Sequence, residues 1–179
     1  MKKFLISSFM VVLIAAQLIF AHDPRTTAKE FSHSIAIEGA GKLTMRYKSL
    51  HWNERGYTAA KGNEQLRTRL NGSLWKKVGK FDTEFDVVIG GVTVPKGSYD
   101  MGVNFGANDD FKLVLGSEGK DLEIPLQTTK DIPIVNYLSF DLRPNNDTDT
   151  FVLEGRLGTF SAWAETKVPY LSEHDHKDK

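Results

Sequence analysis

Polar and apolar residues alternate with a period of two along most of this chain. Phe81, Thr83, Phe85, Val87 and Ile89 interleave with Asp82, Glu84, Asp86 and Val88. Successive side chains of an extended backbone point to opposite sides, so the stretch predicts a strand with one buried and one wet face. Tyr99, Met101, Val103 and Phe105 repeat the pattern. Further strands are predicted over 42–50, 64–70, 111–115, 122–126, 135–142, 151–156 and 160–168. Gly90 to Ser98 separates the first two strands, with Pro95 fixing φ and Gly97 tolerating a positive φ. Gly, Asn and Asp clusters such as 106–110 and 144–147 separate the others. Apart from a single turn near Thr26–Phe31, no segment carries a helical stripe. Many short strands divided by turns read as an all-β antiparallel sandwich or barrel. The expectation is one β-sandwich domain, jelly-roll or immunoglobulin-like, with Phe81, Phe85, Tyr99, Phe105 and Trp163 in its core.

The first 21 residues change the picture, because they decide location. Lys2 and Lys3 precede an apolar run from Phe4 to Phe20 that is broken only by Ser7, Ser8 and Gln17, and Ala21 ends it. This is the pattern of a secretory signal peptide cleaved after Ala21, with an uncleaved anchor as the alternative. A Met-Lys-Lys start on so short a leader suits a bacterium, and places the product in the periplasm or outside the cell. Removing the leader leaves 158 residues with 21 basic and 23 acidic groups, a net charge of about −2. That balance speaks against a large electrostatic footprint for nucleic acid or an anionic membrane. The chain has no cysteine, which excludes disulfides, thiolate metal sites and cysteine nucleophiles. The organisation expected is a signal peptide over 1–21, an extended arm over 22–32, the β-sandwich over 33–170 and a disordered charged tail over 171–179.

Three segments also resemble a known family. These are Phe85-Asp86-Val87-Val88-Ile89-Gly90-Gly91, then Val94-Pro95-Lys96-Gly97-Ser98-Tyr99, then Asp110-Phe111-Lys112-Leu113-Val114-Leu115. Their strand, Pro-x-Gly-x-Tyr turn and following strand are similar to those of domain of unknown function family 2911. Phe160 to Val168 stands where that family carries its last core strand. The resemblance spans residues 33–170 and implies an exported bacterial β-sandwich with no assigned activity, so it supplies no catalytic residue. One departure is clear. Trp75-Lys76-Lys77-Val78-Gly79-Lys80 stands where the family often has a Trp-Arg-x-Gly-Ala-Asn-Glu run.

The candidate chemistry rests on histidines. Cleavage after Ala21 makes His22 the N-terminal residue, and its α-amine and ring Nδ1 can together clamp Cu(II), with the imidazole of His51 or His33 as a third nitrogen. The bland alternative is that His22 marks only where the peptidase stops, and that His33 and His51 are surface residues. His174 and His176 lie in the polar tail. Asp82, Glu84 and Asp86 share the wet side of one strand, where carboxylates are ordinarily just solvated. Asn145, Asp147 and Asp149 have calcium-loop spacing, but Thr150 replaces the required glycine and Arg156 the closing glutamate. A hairpin turn is the simpler reading. No Gly-x-Ser-x-Gly, phosphate loop or His-Glu-x-x-His occurs. Trp52, Tyr57 and Trp75 form a stacking platform for sugar or peptide if they share a sheet face, and core filling otherwise. The functional expectation is a non-enzymatic envelope protein whose ligand or partner is unknown, with copper binding as the alternative.

Overall fold

The computed structural model describes residues 29–73, 78–145 and 150–169. Eleven strands form one antiparallel sheet: β1 (Glu30–Ile37), β2 (Gly41–Lys48), β3 (Gly79–Thr83), β4 (Val87–Ile89), β5 (Val92–Val94), β6 (Gly97–Phe105), β7 (Phe111–Ser117), β8 (Lys120–Thr129), β9 (Val135–Pro144), β10 (Thr150–Gly158) and β11 (Phe160–Lys167). The order across the sheet is β1-β2-β3-β6-β7-β8-β11-β10-β9, and the short β4–β5 hairpin attaches to the end of β11. The all-β antiparallel expectation holds. The opposed apolar faces of a sandwich are supplied here by a single sheet that curls into a nearly closed barrel.

Turn chemistry sets this register. Gly90 and Gly91 form the two-residue loop between Ile89 and Val92 with φ of 54° and 82°. Two positive φ values in succession define the turn whose twist matches that of antiparallel strands, and glycine adopts them without steric cost. At the next turn the Tyr99 hydroxyl donates to the Pro95 carbonyl at 2.7 Å, which ties together the ends of the Pro-x-Gly-x-Tyr segment. The alternation over 81–89 continues unbroken in burial, yet the segment is two strands. The Thr83 hydroxyl donates to the Phe85 carbonyl at 2.6 Å, and there the chain exchanges its β2 and β6 neighbours for β5 and β11.

The interior is packed with the inward residues of this alternation, among them Leu43, Met45, Phe81, Met101, Leu113, Ile124, Leu138, Phe140 and Leu153. Phe81, Phe85, Tyr99 and Phe105 are buried as expected. Trp163 is not a core residue: it is half-buried on the outward side, opposite Glu154 and Gln127.

Closure involves the segment just past β2. The Trp52 amide donates to the Asn136 carbonyl and the Leu138 amide to the Leu50 carbonyl, each at 2.8 Å, around a bridge between His51 and Tyr137. The Ser49 hydroxyl donates to the Leu138 carbonyl at 2.9 Å and the Tyr47 hydroxyl to the Phe140 carbonyl at 3.1 Å. β1 pairs with β2 back from Lys48 and β9 bonds to the chain just beyond it, and the two strands are not paired with each other. His33, on the inward side of β1, instead reaches the outward Asp141 of β9 at 3.7 Å. The two edges of the sheet overlap like a scroll.

Two helices correct the sequence reading. Residues 53–63, expected to be a polar connection, contain α1 (Glu54–Lys61), and the strand expected over 64–70 lies in α2 (Glu64–Ser73). Each helix begins with an asparagine whose side chain accepts from a backbone amide three residues on: Asn53 from Gly56 at 2.9 Å, and Asn63 from Leu66 at 3.0 Å. Tyr57, Ala60, Leu66 and Leu70 are buried against the barrel. No helix among the described residues is long and apolar enough to cross a membrane. Strand pairing begins at Glu30, within the stretch read as an arm. The signal peptide and charged tail lie outside the described residues.

Gly158 tests this packing. Its φ is 57°, and a Cβ there would lie 2.5 Å from the Trp52 ring. Gly158→Ala is expected to cost about 2–4 kcal/mol in urea unfolding, from left-handed strain plus overpacking.

Candidate functional site

The sequence-derived site residues lie apart. His22, Trp75, His174 and His176, with the Asp147 and Asp149 of the calcium-like loop, are outside the described residues. Asn145 donates its amide to the Thr150 carbonyl at 3.2 Å, the closing bond of a hairpin. His33 stacks on Tyr47 with ring centroids 5.9 Å apart, its Nδ1 toward Asp141. His51 is exposed and meets Tyr137 edge-on at 5.2 Å. His33 and His51 therefore adjoin β9 residues four positions apart, roughly 13 Å along a strand. Among the described residues, no three His, Cys, Asp or Glu side chains converge as metal ligands.

Trp52 and Tyr57 are core residues and not a ligand platform. Tyr57 packs on Trp52, Phe105 and Phe160 at centroid distances of 4.9, 5.1 and 5.5 Å, and so seals one end of the barrel with aromatic rings. Its hydroxyl donates to Asp109 Oδ1 at 2.7 Å. Asp109, in the β6–β7 loop with φ of 60°, also receives Lys61 Nζ at 2.6 Å and Lys130 Nζ at 2.8 Å. Its side chain is 8% exposed. Burial disfavours the charged carboxylate, but hydrogen bonds from Lys130, Lys61 and Tyr57 outweigh it and hold the pKa down to about 2. Burial, and then the bond to Asp109, push the Tyr57 phenol well above its usual value. One carboxylate thus joins α1, the β6–β7 loop and the β8–β9 connection. Its three partners leave it suited to structure more than to proton transfer.

A recess open to solvent was missed in the sequence. It is a groove of about 460 Å³ where the ends of β1, β2 and β3 meet β6. Arg46, Lys48 and Lys80 supply three positive charges, and Glu30 and Asp100 two negative ones. Several of these are paired across strands: Lys80 to Asp100 at 2.7 Å, Lys48 to Glu30 at 3.9 Å, and Arg46 to Asp82 beside the groove at 2.6 Å. Phe31 borders the same recess from the opposite, inward face of the strands; it is 43% exposed, with its ring stacked on Tyr47 at 5.7 Å. These residues come from four strands, so no local spacing announces them. The remaining signal was Phe31, an apolar residue inside a stretch read as an arm.

Comparison with family models, with curated proteins and with solved structures found no match.

The Asp109 network carries a pH prediction. Its folded pKa lies below the unfolded value, so its contribution is fully present above about pH 4 and is lost as pH falls toward 2. At neutral pH the shift corresponds to roughly 2 kcal/mol. Asp109→Asn should lower unfolding free energy by about 2–4 kcal/mol at pH 7. Denaturation from pH 7 to pH 2 should show the gap to wild type shrinking only below about pH 4.

Proposed function

We propose that the chain is an exported, non-catalytic binding module of the bacterial envelope, holding a neutral hydroxyl-rich ligand, a glycan, in the groove at the β1–β2–β3 strand ends. Phe31 carries this reading. It shares the inward face of β1, yet nearly half its surface is in solvent, and Tyr47 braces one side of its ring. A rigid aromatic ring of this kind suits the apolar face of a sugar, with little entropy lost on stacking. On the outward face of the same strand ends, Arg46, Lys48 and Lys80 donate while Glu30 and Asp100 accept, so a ligand wrapping the β1 edge meets both the ring and the charges. Hydroxyl groups both donate and accept, so they can satisfy either kind of partner. Near balance of charge favours such a ligand over a polyanion, whose binding needs an unopposed positive surface. The volume falls in the usual range for small-ligand sites, about 300–1,000 Å³. The leader and the resemblance to an exported sandwich family support the location.

Calorimetry with neutral chito- and cello-oligosaccharides, and with polyphosphate as a charged comparator, tests this. Saturable binding of an oligosaccharide is expected, weakened about tenfold in Phe31→Ala, equivalent to about 1.4 kcal/mol. The circular dichroism of that variant should match wild type. Tighter, salt-sensitive binding of polyphosphate, or no oligosaccharide bound, contradicts the reading.

One observation favours copper as a second reading, and it selects His33 over His51. A carboxylate hydrogen-bonded to one imidazole nitrogen orients metal-binding histidines, and Asp141 lies near that position, 3.7 Å from His33 Nδ1. Ligation through a His22 amine and neutral imidazoles predicts Cu(II) affinity that falls as pH drops below the histidine range. In calorimetry with the tail over 171–179 deleted, one residue added before His22 should weaken binding sharply. Equal affinity of native and extended N-termini would contradict it.

A further inference from the structure

The fold treats the two edges of its sheet differently. The outward groups of β9 are met by Trp52, Leu50, Ser49 and Tyr47, and its Leu142 amide donates to Asp141 Oδ1 at 2.8 Å. Among the described residues, β1 has no such cover. The Lys29 carbonyl accepts from the Ser49 amide at 2.9 Å, so the odd-numbered residues of β1 face β2. The N–H and C=O groups of Glu30, Ser32, Ser34 and Ala36 therefore point the other way. Among the described residues no strand pairs with that side. The strand reads EFSHSIAI. It has no proline, no lysine and no bulge, and its one acidic residue is at the end, so it lacks the usual protections of an exposed edge.

We propose that this edge pairs with the same edge of a second copy, giving a two-fold antiparallel dimer with one continuous sheet. The choice of occupant rests on self-complementarity. Setting Ser32 against Ser34 of the second copy, and Glu30 against its Ala36, uses all four outward residues and makes about eight hydrogen bonds. Every other two-fold register leaves at least one of them unpaired. This register keeps the two Glu30 carboxylates apart. It also brings each one into the row that ends in Lys42 of the other copy, since Lys42 is the β2 neighbour of Ala36. An isologous contact of this kind closes on itself and does not propagate. His33 then faces His33 of the second copy across the axis, as a pair without mutual hydrogen bonds, with Cα atoms about 4.5 Å apart.

The absence of cysteine makes the register directly readable, because a single introduced thiol can crosslink only between copies. The 179-residue chain is expressed and purified as processed. Under mild oxidation, His33→Cys should convert largely to a disulfide dimer, since the expected Cα separation suits that bond. Lys120→Cys, at the start of β8, should stay at the level of random collision. The Ser34 amide points away from β2, so Ser34→Pro removes no bond to β2. It should retain the wild-type circular dichroism while light scattering shows a monomer. A wild-type monomer at all concentrations, a dimer that persists in Ser34→Pro, or His33→Cys crosslinking no faster than Lys120→Cys would each overturn the proposal. If Ser34→Pro does not fold, the cysteine comparison still decides.

Discussion

A sheet that curls nearly into a cylinder must satisfy or cover the backbone groups along the line where its edges meet. Here that constraint is met over Tyr47–Trp52, a few residues that serve two neighbours in succession. Up to Lys48 the chain pairs with β1, and beyond it the backbone bonds to β9. The Tyr47 and Ser49 hydroxyls extend the closure to two further β9 carbonyls. A buried or half-buried carbonyl without a partner costs on the order of 1–3 kcal/mol, so these contacts favour the overlapped arrangement over a flat one. The position of β1 follows. It is displaced to the outside of the seam, and the charged groove opens at its first residues.

The end of the barrel beside α1 and α2 is governed by a second requirement, that Tyr57 place a polar tip inside an aromatic cluster. Asp109 accepts that hydroxyl and is itself neutralised by Lys61 and Lys130. A buried carboxylate held by two cations and a phenol is stable as a set, whereas loss of one member leaves the others under-solvated. With the barrel interior filled by side chains and this end sealed, the proposed binding falls to the strand ends of β1, β2 and β3, where Phe31 lies on one face and the charged rows on the other.

The strands were legible because the alternation in β2, β3, β6, β7, β9, β10 and β11 is a direct consequence of one-sided burial. The helices were not. Their apolar residues are few, Tyr57 and Ala60 in one and Leu66 and Leu70 in the other, and polar residues surround them. Asn53 and Asn63, each followed by a glutamate, were the available signal, since both are helix caps. The same polar surroundings made Trp52 and Tyr57 resemble surface aromatics, although the rings they touch come from β6, β7 and β11, distant in sequence. Asn71 sits in a polar Asn-Gly-Ser run, yet its side chain bonds both backbone groups of Phe105. β1 was missed because its apolar side looks partly onto the seam and solvent, which weakens the contrast that marks a strand. The groove was illegible for a different reason: cross-strand register, absent from any single segment, assembles it.

The closure between the β2 extension and β9 is tested most directly by amide hydrogen exchange at Trp52 and Leu138. Both amides donate across the seam, so they should exchange as slowly as the amides of the central strand β7, through global unfolding. Exchange at either amide at the rate of a solvent-exposed edge strand, while β7 stays protected, would contradict the closed seam.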